Sequence, residues 1–517
     1  MIPAPPWLRR ALVLAAAFAP MLAIAAVRDL WAPDEPRYAE VALESFARGD
    51  FVHLTLCGDP YPDKPPLAFL FAALAGAPFG FAAFALRLPT LLASLLTAWC
   101  VARLALRHHD SETALLAAPL HLTTLLVLHL GGRLQIDPLL AAFTTAAITA
   151  IETGKAPWIA GACTGLAALA KGPIAWLFIA VWLLLRRGVV RTHVHRHRSS
   201  YLAASALAVL PLAAWATLAL LREPSLAREL LFEQHLGRIL TARSHPAPVY
   251  EPLLELSVFT LPWTPLVVRG VIDGLRSPRG SFARRSTWFV LTALAFFSVV
   301  ADKRELYLLP VYPLLAILAA RVAIARPVAA GRFTLVVIGL WSTALVITPL
   351  FHVTLSTAAP GVDIPLHAIA VVGVGTALVL LWIHRRAGPP QQVLRAELVG
   401  FALSSTAIAV LVLPPLDTLK CSRAVAAELA ARPEKPSSIP CVGVRPEAYR
   451  FFAGLPTVAD QDTLRIGPAL LRDGEQFLAL VWTRDLPRLP QVVRDGSRTL
   501  ARWRVGSRDI LLLGRAP

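Results

Sequence analysis

Long apolar runs fill most of the chain, and short polar segments separate them. A spanning helix needs roughly 20 mostly apolar residues, and inside a bilayer only helices or closed barrels satisfy their backbone hydrogen bonds. Because the runs are continuous rather than alternating, we predict about thirteen spanning helices. They cover approximately Leu12–Val27, Leu88–Leu106, Thr113–Leu130, Pro138–Ile151, Trp158–Ala170, Pro173–Leu185, Tyr201–Leu221, Leu253–Val271, Trp288–Ala301, Leu306–Ile324, Phe333–Leu355, Pro365–Ile383 and Leu398–Pro414.

The charges of the loops predict an orientation. If the chain starts in the cytoplasm, the loops on the inner side carry basic clusters, and those on the outer side carry mixed charge. Positive charge stays on the cytoplasmic side, so this alternation is self-consistent and puts the C-terminus outside. The first apolar run lacks a small-residue cleavage site, so we interpret it as an uncleaved span. The inner clusters are Arg107–His109, Lys155, Arg186–Arg198, Arg276–Arg285, Arg321 with Arg326, and Arg385–Arg386.

The composition changes after Pro415, where short apolar runs alternate with turn residues. This pattern is typical of a small α/β domain, with a helix at about Ser422–Ala431 and strands at Phe477–Trp482 and Ile510–Leu513. We therefore predict a mainly α-helical, polytopic membrane helix bundle over residues 1–415, with a first outer loop at 28–87. A small extracytoplasmic α/β domain follows at 416–517.

Two details of these outer parts can be interpreted from the sequence. The apolar segment 63–88 is broken by prolines and glycines, so we expect it to lie along the membrane interface. Cys421 and Cys441 both fall in the C-terminal part. An oxidising compartment would allow them to pair, and two separate thiols fit the sequence equally well.

Composition supports the membrane assignment and excludes one alternative. The chain is 56% hydrophobic and 16% charged, whereas soluble domains carry roughly 25% charged residues. Its mean hydropathy is +0.60. The net charge of +17 could suggest nucleic-acid binding, but the basic residues lie between apolar runs, where they orient the protein in a bilayer. We therefore predict no nucleic-acid partner.

The first outer loop contains the most informative polar residues. Asp34 and Glu35 are adjacent carboxylates between prolines, a pattern that opens a helix. Asp34 could accept a proton from an attacking group, bind a cation, or simply cap the helix. At the end of the loop, Lys64 is a compact cation suited to a phosphate group or a lysine that snorkels to the interface. Asp63 could neutralise it or ligate a metal.

These residues belong to a series of motifs that resembles a known family. The series looks like that of the bacterial aminoarabinose (4-amino-4-deoxy-L-arabinose) transferases, which are related to protein O-mannosyltransferases and have the GT-C type of membrane glycosyltransferase fold. Two departures are Gln234, inserted between Glu233 and His235, and Asp302, which replaces an expected serine. The motifs are Asp34–Glu40, Gly49-Asp50, Asp63–Leu67, Ala85–Pro89, Asp137, Lys171–Pro173, Glu233–Arg238, Lys303–Pro310 and Tyr312-Pro313.

The resemblance implies an inverting transferase that uses a polyprenyl (undecaprenyl) phosphate sugar as donor. Breaking the glycosidic bond leaves a phosphate that must be stabilised. Asp34 is our choice for the acceptor-side base, or for an electrostatic orienter if the acceptor is itself a phosphate. Glu35 and Asp137 complete the predicted catalytic carboxylates, and Asp137 could alternatively cap a helix before Pro138. The predicted donor-phosphate ligands are Lys64, Arg238, Lys303 and Tyr307.

The same resemblance permits a divalent metal, such as zinc, and makes no cofactor certain. Asp63 and His235 could share the ion, and His245 or Asp302 could supply a third ligand, since three protein ligands are normally wanted. A neutral histidine hydrogen-bonded in a loop is the alternative. Lys171 could hold an anionic head group, pair with Asp137, or have a purely topological role.

The expected acceptor is lipid A or another envelope glycolipid. This expectation puts the chain in the bacterial inner membrane, with the site and the C-terminal domain in the periplasm. Protein O-glycosylation by the same chemistry remains open. A transporter or flippase of lipid-linked sugar would place its ionisable residues near the membrane midplane and often shows repeats. The outer-loop carboxylates favour the enzyme instead.

Overall fold

The computed structural model of the chain describes residues 6–154, 156–190, 198–226, 247–351, 354, 362–386, 389–434, 436, 438–459, 477–505 and 508–515. Helices form the larger part of these residues. In chain order they are α1 (Pro6–Val27), α2 (Asp34–Arg48), α3 (Leu67–Gly76), α4 (Ala83–His108), α5 (Ser111–Leu122), α6 (Leu125–Gly131), α7 (Asp137–Thr153), α8 (Pro157–Lys171), α9 (Ile174–Val190), α10 (Arg198–Arg222), α11 (Glu251–Phe259), α12 (Thr264–Arg276), α13 (Phe282–Val299), α14 (Tyr312–Ala325), α15 (Pro327–Val346), α16 (Leu366–Arg385) and α17 (Pro390–Lys420).

The membrane assignment is confirmed by the length and composition of these helices. Within the described ranges, 7 helices are long and apolar enough to cross a membrane, or up to 8 if α5 and α6, bent by 60°, form one span. Every predicted span overlaps a described helix, while the count of about thirteen stays a prediction.

One predicted span is wrong as a single helix. The run Leu253–Val271 consists of α11 and α12, which are separated at Thr260–Trp263. Pro262 lies in this break and has no N–H to continue a helical ladder. The run predicted at Leu306–Ile324 likewise begins as a 3-10 segment, Glu305–Val311, before α14. Pro310 and Pro313 explain this irregular start in the same way.

The bundle is packed around α14, in which nearly every residue is buried. The helices α4, α5 and α7 belong to the same core. The indole N–H of Trp263, in the break between α11 and α12, donates to the Thr123 hydroxyl at 3.0 Å. Trp182 packs edge-on against Phe289, with ring centroids 5.6 Å apart. Aromatic anchors therefore join the early and late helices.

Small residues bring α8 and α10 into backbone contact. A Cβ atom added to Gly161 would lie 2.2 Å from the carbonyl oxygen of Ala204, and one added to Gly165 would lie 2.1 Å from that of Leu207. Glycines spaced by four residues allow helices to approach closely where no hydrophobic effect drives their association. This contact explains why a bulky residue cannot replace either glycine.

The first outer loop folds as two helices and a short hairpin. The hairpin pairs β1 (Thr55–Leu56) with β2 (Asp59–Pro60) in antiparallel register. Tyr38 on α2 and Tyr61 both make T-shaped contacts with Phe69 on α3, with ring centroids 5.8 and 5.9 Å apart. The segment expected at the interface thus contains a helix that packs beneath α2, and it supports the residues described below.

The C-terminal part is a small α/β unit, as predicted. The strands form one sheet in the order β4-β3-β5-β7-β6. The last membrane helix continues through Pro415 to Lys420. Cys421 follows that helix and Cys441 lies in the sheet, and both remain buried thiols. The elements are β3 (Ile439–Val442), β4 (Thr457–Ala459), β5 (Leu478–Trp482), β6 (Ser497–Val505), β7 (Arg508–Arg515), α18 (Arg423–Ala430), α19 (Pro446–Ala453) and α20 (Gln491–Asp495).

Candidate active site

Glu35 joins the first outer loop to the membrane helices. Its carboxylate accepts hydrogen bonds from Arg28 at 2.5 Å and from Arg87 at 2.9 Å. The backbone N–H groups of Trp31 and Leu134 donate to it at 3.0 and 2.9 Å. Burial raises the pKa of this carboxyl, but the two arginines outweigh burial and lower it to about 2. Glu35 is only 1% exposed, and its contacts join this loop to the helices, while its predicted catalytic role stays a prediction.

Asp34, the preceding residue, faces a different set of partners. Its carboxylate accepts from Arg37 at 2.6 Å, from the Gln135 amide at 3.1 Å and from Arg304 at 3.3 Å. Burial raises the pKa of Asp34, but Arg37 and Arg304 bring the net value below the ordinary one. The residue at the N-cap of α2 is Pro33, with no side-chain capping bond. The cap interpretation of Asp34 is therefore wrong, and the side chain is an ionised, partly shielded carboxylate.

Asp137, Lys171 and Tyr307 form a second polar group at the same end of the bundle. Lys171 is ion-paired with Asp137, as the sequence suggested, and its ammonium lies 4.7 Å from the ring centroid of Tyr307. Asp137 begins α7 without a capping bond, so the cap alternative is wrong here too. Tyr307 thus contacts Lys171, the residue whose ammonium is ion-paired with Asp137.

The two groups belong to one electrostatic environment. Burial lowers the pKa of the Arg304 guanidinium, but Asp34, Glu305 and Asp137 together raise it above its ordinary value. Arg304 therefore lies within electrostatic range of both carboxylates.

The predicted phosphate ligands are only partly tested by these contacts. The Lys64 ammonium donates to the backbone carbonyl of Asp63 at 3.0 Å. The Lys303 ammonium is buried and donates to the carbonyl of Val300 at 2.6 Å. Arg238 lies outside the described residues, so its predicted role stays a prediction.

The metal prediction is also untested, because His235 and His245 lie outside the described residues. Among the residues that the structure describes, no group of three or more His, Cys, Asp or Glu side chains could hold a metal ion. Asp63 and Asp302 are described, and each has polar or charged interactions. Their roles as metal ligands stay a prediction.

The outer loop also contacts the C-terminal unit. Arg450 on α19 reaches Glu40 at 3.1 Å and Glu44 at 3.2 Å, both on α2. Burial, followed by the neighbouring Glu44, raises the pKa of Glu40 to about 8, although Arg450 opposes the shift. Glu40 therefore retains its proton at neutral pH. This contact couples the C-terminal unit to the helix that carries Asp34.

Three residues of the site escaped the sequence analysis. Arg304 stands beside the predicted Lys303, and Arg37 stands inside the first motif, so both were visible as charges without an assigned partner. Gln135 offers no signal, because a lone amide in a loop is common. The contact between Arg304 and Asp34 joins residues 270 positions apart, and no local pattern predicts it.

With this geometry in place, comparison with solved structures defines the class of fold. The chain shares its fold with solved membrane proteins. It is similar to ArnT from Cupriavidus metallidurans bound to undecaprenyl phosphate, with a TM-score of 0.81 and 20% identity, covering 98% of both chains. The archaeal oligosaccharyltransferase AglB from Archaeoglobus fulgidus matches with a TM-score of 0.53 and 10% identity, covering 92% of this chain and 70% of AglB.

Sequence comparison adds particular relatives. The family described as dolichyl-phosphate-mannose-protein mannosyltransferase matches residues 63–216. The undecaprenyl phosphate-alpha-4-amino-4-deoxy-L-arabinose arabinosyl transferase of Yersinia enterocolitica is 31% identical over 312 residues, 57% of this chain and 56% of that protein. The protein of the same name from Pectobacterium carotovorum is 30% identical over 307 residues, which are 57% of this chain and 55% of that protein.

The chain thus spans about half the length of the curated relatives that it matches. The resemblance inferred from the motifs is confirmed by these relatives, and the expected fold is confirmed by the solved structures.

Proposed function

We propose that the chain is an inverting glycosyltransferase that moves a sugar from an undecaprenyl phosphate donor to an acceptor in the bacterial envelope. The observation that carries the proposal is the ionised Asp34, held between Arg37 and Arg304 beside the Asp137–Lys171 pair. Such a site combines a carboxylate for the acceptor side with fixed cations for a leaving phosphate. The relatives' names supply the donor class, and the fold supports it.

The donor side requires cations, because a lipid phosphate leaves when the glycosidic bond breaks. Arg304 is added to Lys64, Arg238, Lys303 and Tyr307 as a proposed ligand, since a guanidinium suits the geometry of phosphate oxygens. The ammonium group of Lys303 has three N–H donors. Its hydrogen bond to the Val300 carbonyl uses one of them, so a phosphate contact is compatible with it. Charge that develops on the leaving oxygen would be stabilised without prior reorganisation of the site.

The acceptor side is constrained by the lowered pKa of Asp34. A strong general base for a hydroxyl group has a pKa near the working pH, and Asp34 does not meet this condition. A phosphate acceptor is already ionised and needs an orienter rather than a strong base. We therefore propose the phosphate of lipid A, or of another envelope glycolipid, in preference to a protein hydroxyl group. Aminoarabinose is the first donor sugar to test, because the relatives carry its name.

The proposed location follows from the donor. Nucleotide sugars are cytosolic, so a transferase that uses a lipid-linked sugar acts across the membrane from them. We propose the inner membrane, with Asp34 and the C-terminal unit in the periplasm, in agreement with the basic clusters on the opposite side.

The test is mass spectrometry of envelope lipids and glycoproteins from cells that lack the gene. The cells are complemented with the wild type, with Asp34→Asn, or with Glu112→Gln, whose carboxylate is half exposed. We expect a sugar-sized mass difference on lipid A or another glycolipid with the wild type and Glu112→Gln, and none with Asp34→Asn at equal abundance in the membrane. A difference on proteins instead would favour O-glycosylation. No difference on any molecule would contradict a transferase and favour transport.

A further inference from the structure

A second polar cavity lies at the end of the helix bundle opposite Asp34. Its volume is about 490 Å³, and it is lined by residues from α4, α7, α9, α13 and α14. The helix α4 connects the two ends of the bundle. At one end Arg87 binds Glu35, and at the other His108 lines the cavity. At 1.5 Å per residue, these two positions of α4 are about 30 Å apart. The helix α7 likewise runs from Asp137 to Glu152. The cavity is therefore separate from the candidate active site.

The walls of this cavity, which we call the inner-end cavity, are strongly basic. Four arginines face a single carboxylate, Glu152, which leaves an excess of three positive charges even with both histidines neutral. The C-terminal ends of neighbouring helices each contribute only about half a negative charge, so they offset part of the excess. The basic residues are Arg107, His108, His109, Arg186, Arg285 and Arg321.

Two buried nitrogen atoms in the walls lack hydrogen-bond partners among the described residues. Arg285 is 8% exposed and donates to Glu152 at 2.8 Å. Its Nε atom, like Nε2 of His109, has no hydrogen-bond partner among the described residues. Burial lowers the pKa of His109 to about 4, and the nearby Arg321 and His108 add to the shift. A buried donor left unpaired is costly, and an anion would satisfy the Nε–H group of Arg285.

The cavity is also in the right place for a lipid. It lies at the ends of membrane helices, on the side that the charge pattern assigns to the cytoplasm. Basic pockets between spanning helices on that side bind anionic head groups. A water molecule takes about 30 Å³ of liquid volume, so the space admits a phosphate group together with its hydration and attached glycerol.

We propose that the inner-end cavity is a binding site for a phosphate group, such as that of an anionic phospholipid of the cytoplasmic leaflet. Arg107 and Arg321 bind the phosphate from the open side, and Arg285 donates from the buried wall. Glu152 holds the buried arginine in position and does not contact the ligand.

The proposal is tested by binding of short-chain phosphatidic acid to the purified full-length chain in phosphatidylcholine nanodiscs. The double variant Arg107→Gln/Arg321→Gln removes two accessible cations and leaves the buried Arg285–Glu152 pair intact. The matched control is Arg386→Gln, because Arg386 is exposed at the end of α16 and does not line the cavity. The double variant loses two charge-assisted hydrogen bonds to the phosphate, so we expect its dissociation constant alone to rise roughly a hundredfold.

A second arm repeats the titration with inorganic phosphate. Binding of both probes with the same dependence on Arg107 and Arg321 assigns the site to phosphate from either source, and binding of phosphatidic acid alone assigns it to lipid. Thermal unfolding measured in parallel establishes that the double variant is folded. Equal binding of phosphatidic acid by the wild type and the folded double variant, or no binding by the wild type, would overturn the proposal.

Discussion

Replacing Glu35 by glutamine tests whether this carboxylate holds the first outer loop in place. In the structure it compensates two arginines, Arg28 and Arg87, that are 4% and 0% exposed. The glutamine side chain keeps the shape and loses the charge, so both guanidinium groups would remain buried without their counter-ion. The outer loop would lose its main connection to the membrane helices, and Asp34 would lose its fixed position.

The magnitude follows from the burial of the pair. Removing one partner of a buried ion pair costs about 3–5 kcal/mol. We expect the lower end, about 3 kcal/mol, because Arg87 also donates to the backbone carbonyls of Ala25, Arg28 and Asp29 at 2.7–2.8 Å. The control is Glu112→Gln, which breaks an exposed pair with Arg395 and should cost about 0–1 kcal/mol.

The assay is thermal and denaturant unfolding of the purified proteins in one detergent, with turnover measured on the same samples. We expect the unfolding midpoint of Glu35→Gln to lie well below that of the wild type. The midpoint of Glu112→Gln should equal that of the wild type. If Glu35→Gln instead has the unfolding midpoint of Glu112→Gln yet loses turnover, the structural role of Glu35 is refuted, and its predicted catalytic role is supported.

Three further predictions follow from other contacts. The folded state holds the pKa of Glu40 at about 8, against an ordinary 4.5. This group therefore stabilises the fold at low pH, and its contribution is lost as the pH rises from about 4.5 to 8. Glu40→Gln should flatten the pH dependence of the unfolding midpoint over that interval. Gly165→Val should lower the free energy of unfolding by about 1–3 kcal/mol or more, the range for overpacking, since a Cβ atom alone would lie 2.1 Å from backbone. The control is Gly339→Ala, whose Cβ atom would meet nothing within 4 Å, and its unfolding midpoint should be unchanged. Lys171→Gln should lower turnover roughly tenfold or more by leaving Asp137 buried and uncompensated, with partial recovery in Lys171→Arg in the same steady-state transfer assay.

The sequence predicted the helices well, because apolar runs between charged loops carry a strong signal in a membrane protein. It also offered the pairing of Lys171 with Asp137 as one alternative among three, since both lie at helix ends on one predicted face. The break at Thr260–Trp263 was missed, although Pro262 marks it. There the continuous hydrophobicity of the run outweighed the local signal.

The roles of Asp34 and Glu35 could not be separated in advance. Adjacent residues of an α-helix point about 100° apart, so neighbouring carboxylates meet different partners, and only the packed structure shows which partners those are. The contact of Arg450 with α2 was equally inaccessible, because it depends on how the C-terminal unit docks. Long-range pairing of charges is a property of the tertiary fold, and no local pattern specifies it.

Turnover of a purified sample tests the central claim most directly. The full-length chain is mixed with an undecaprenyl phosphate sugar and an envelope glycolipid acceptor, and released undecaprenyl phosphate is measured for the wild type and Asp34→Asn. We predict release by the wild type and a loss of roughly 10²-fold or more in the variant, because a fixed charge that orients the acceptor is removed, with donor binding retained. Release by folded Asp34→Asn at the wild-type rate would contradict the account.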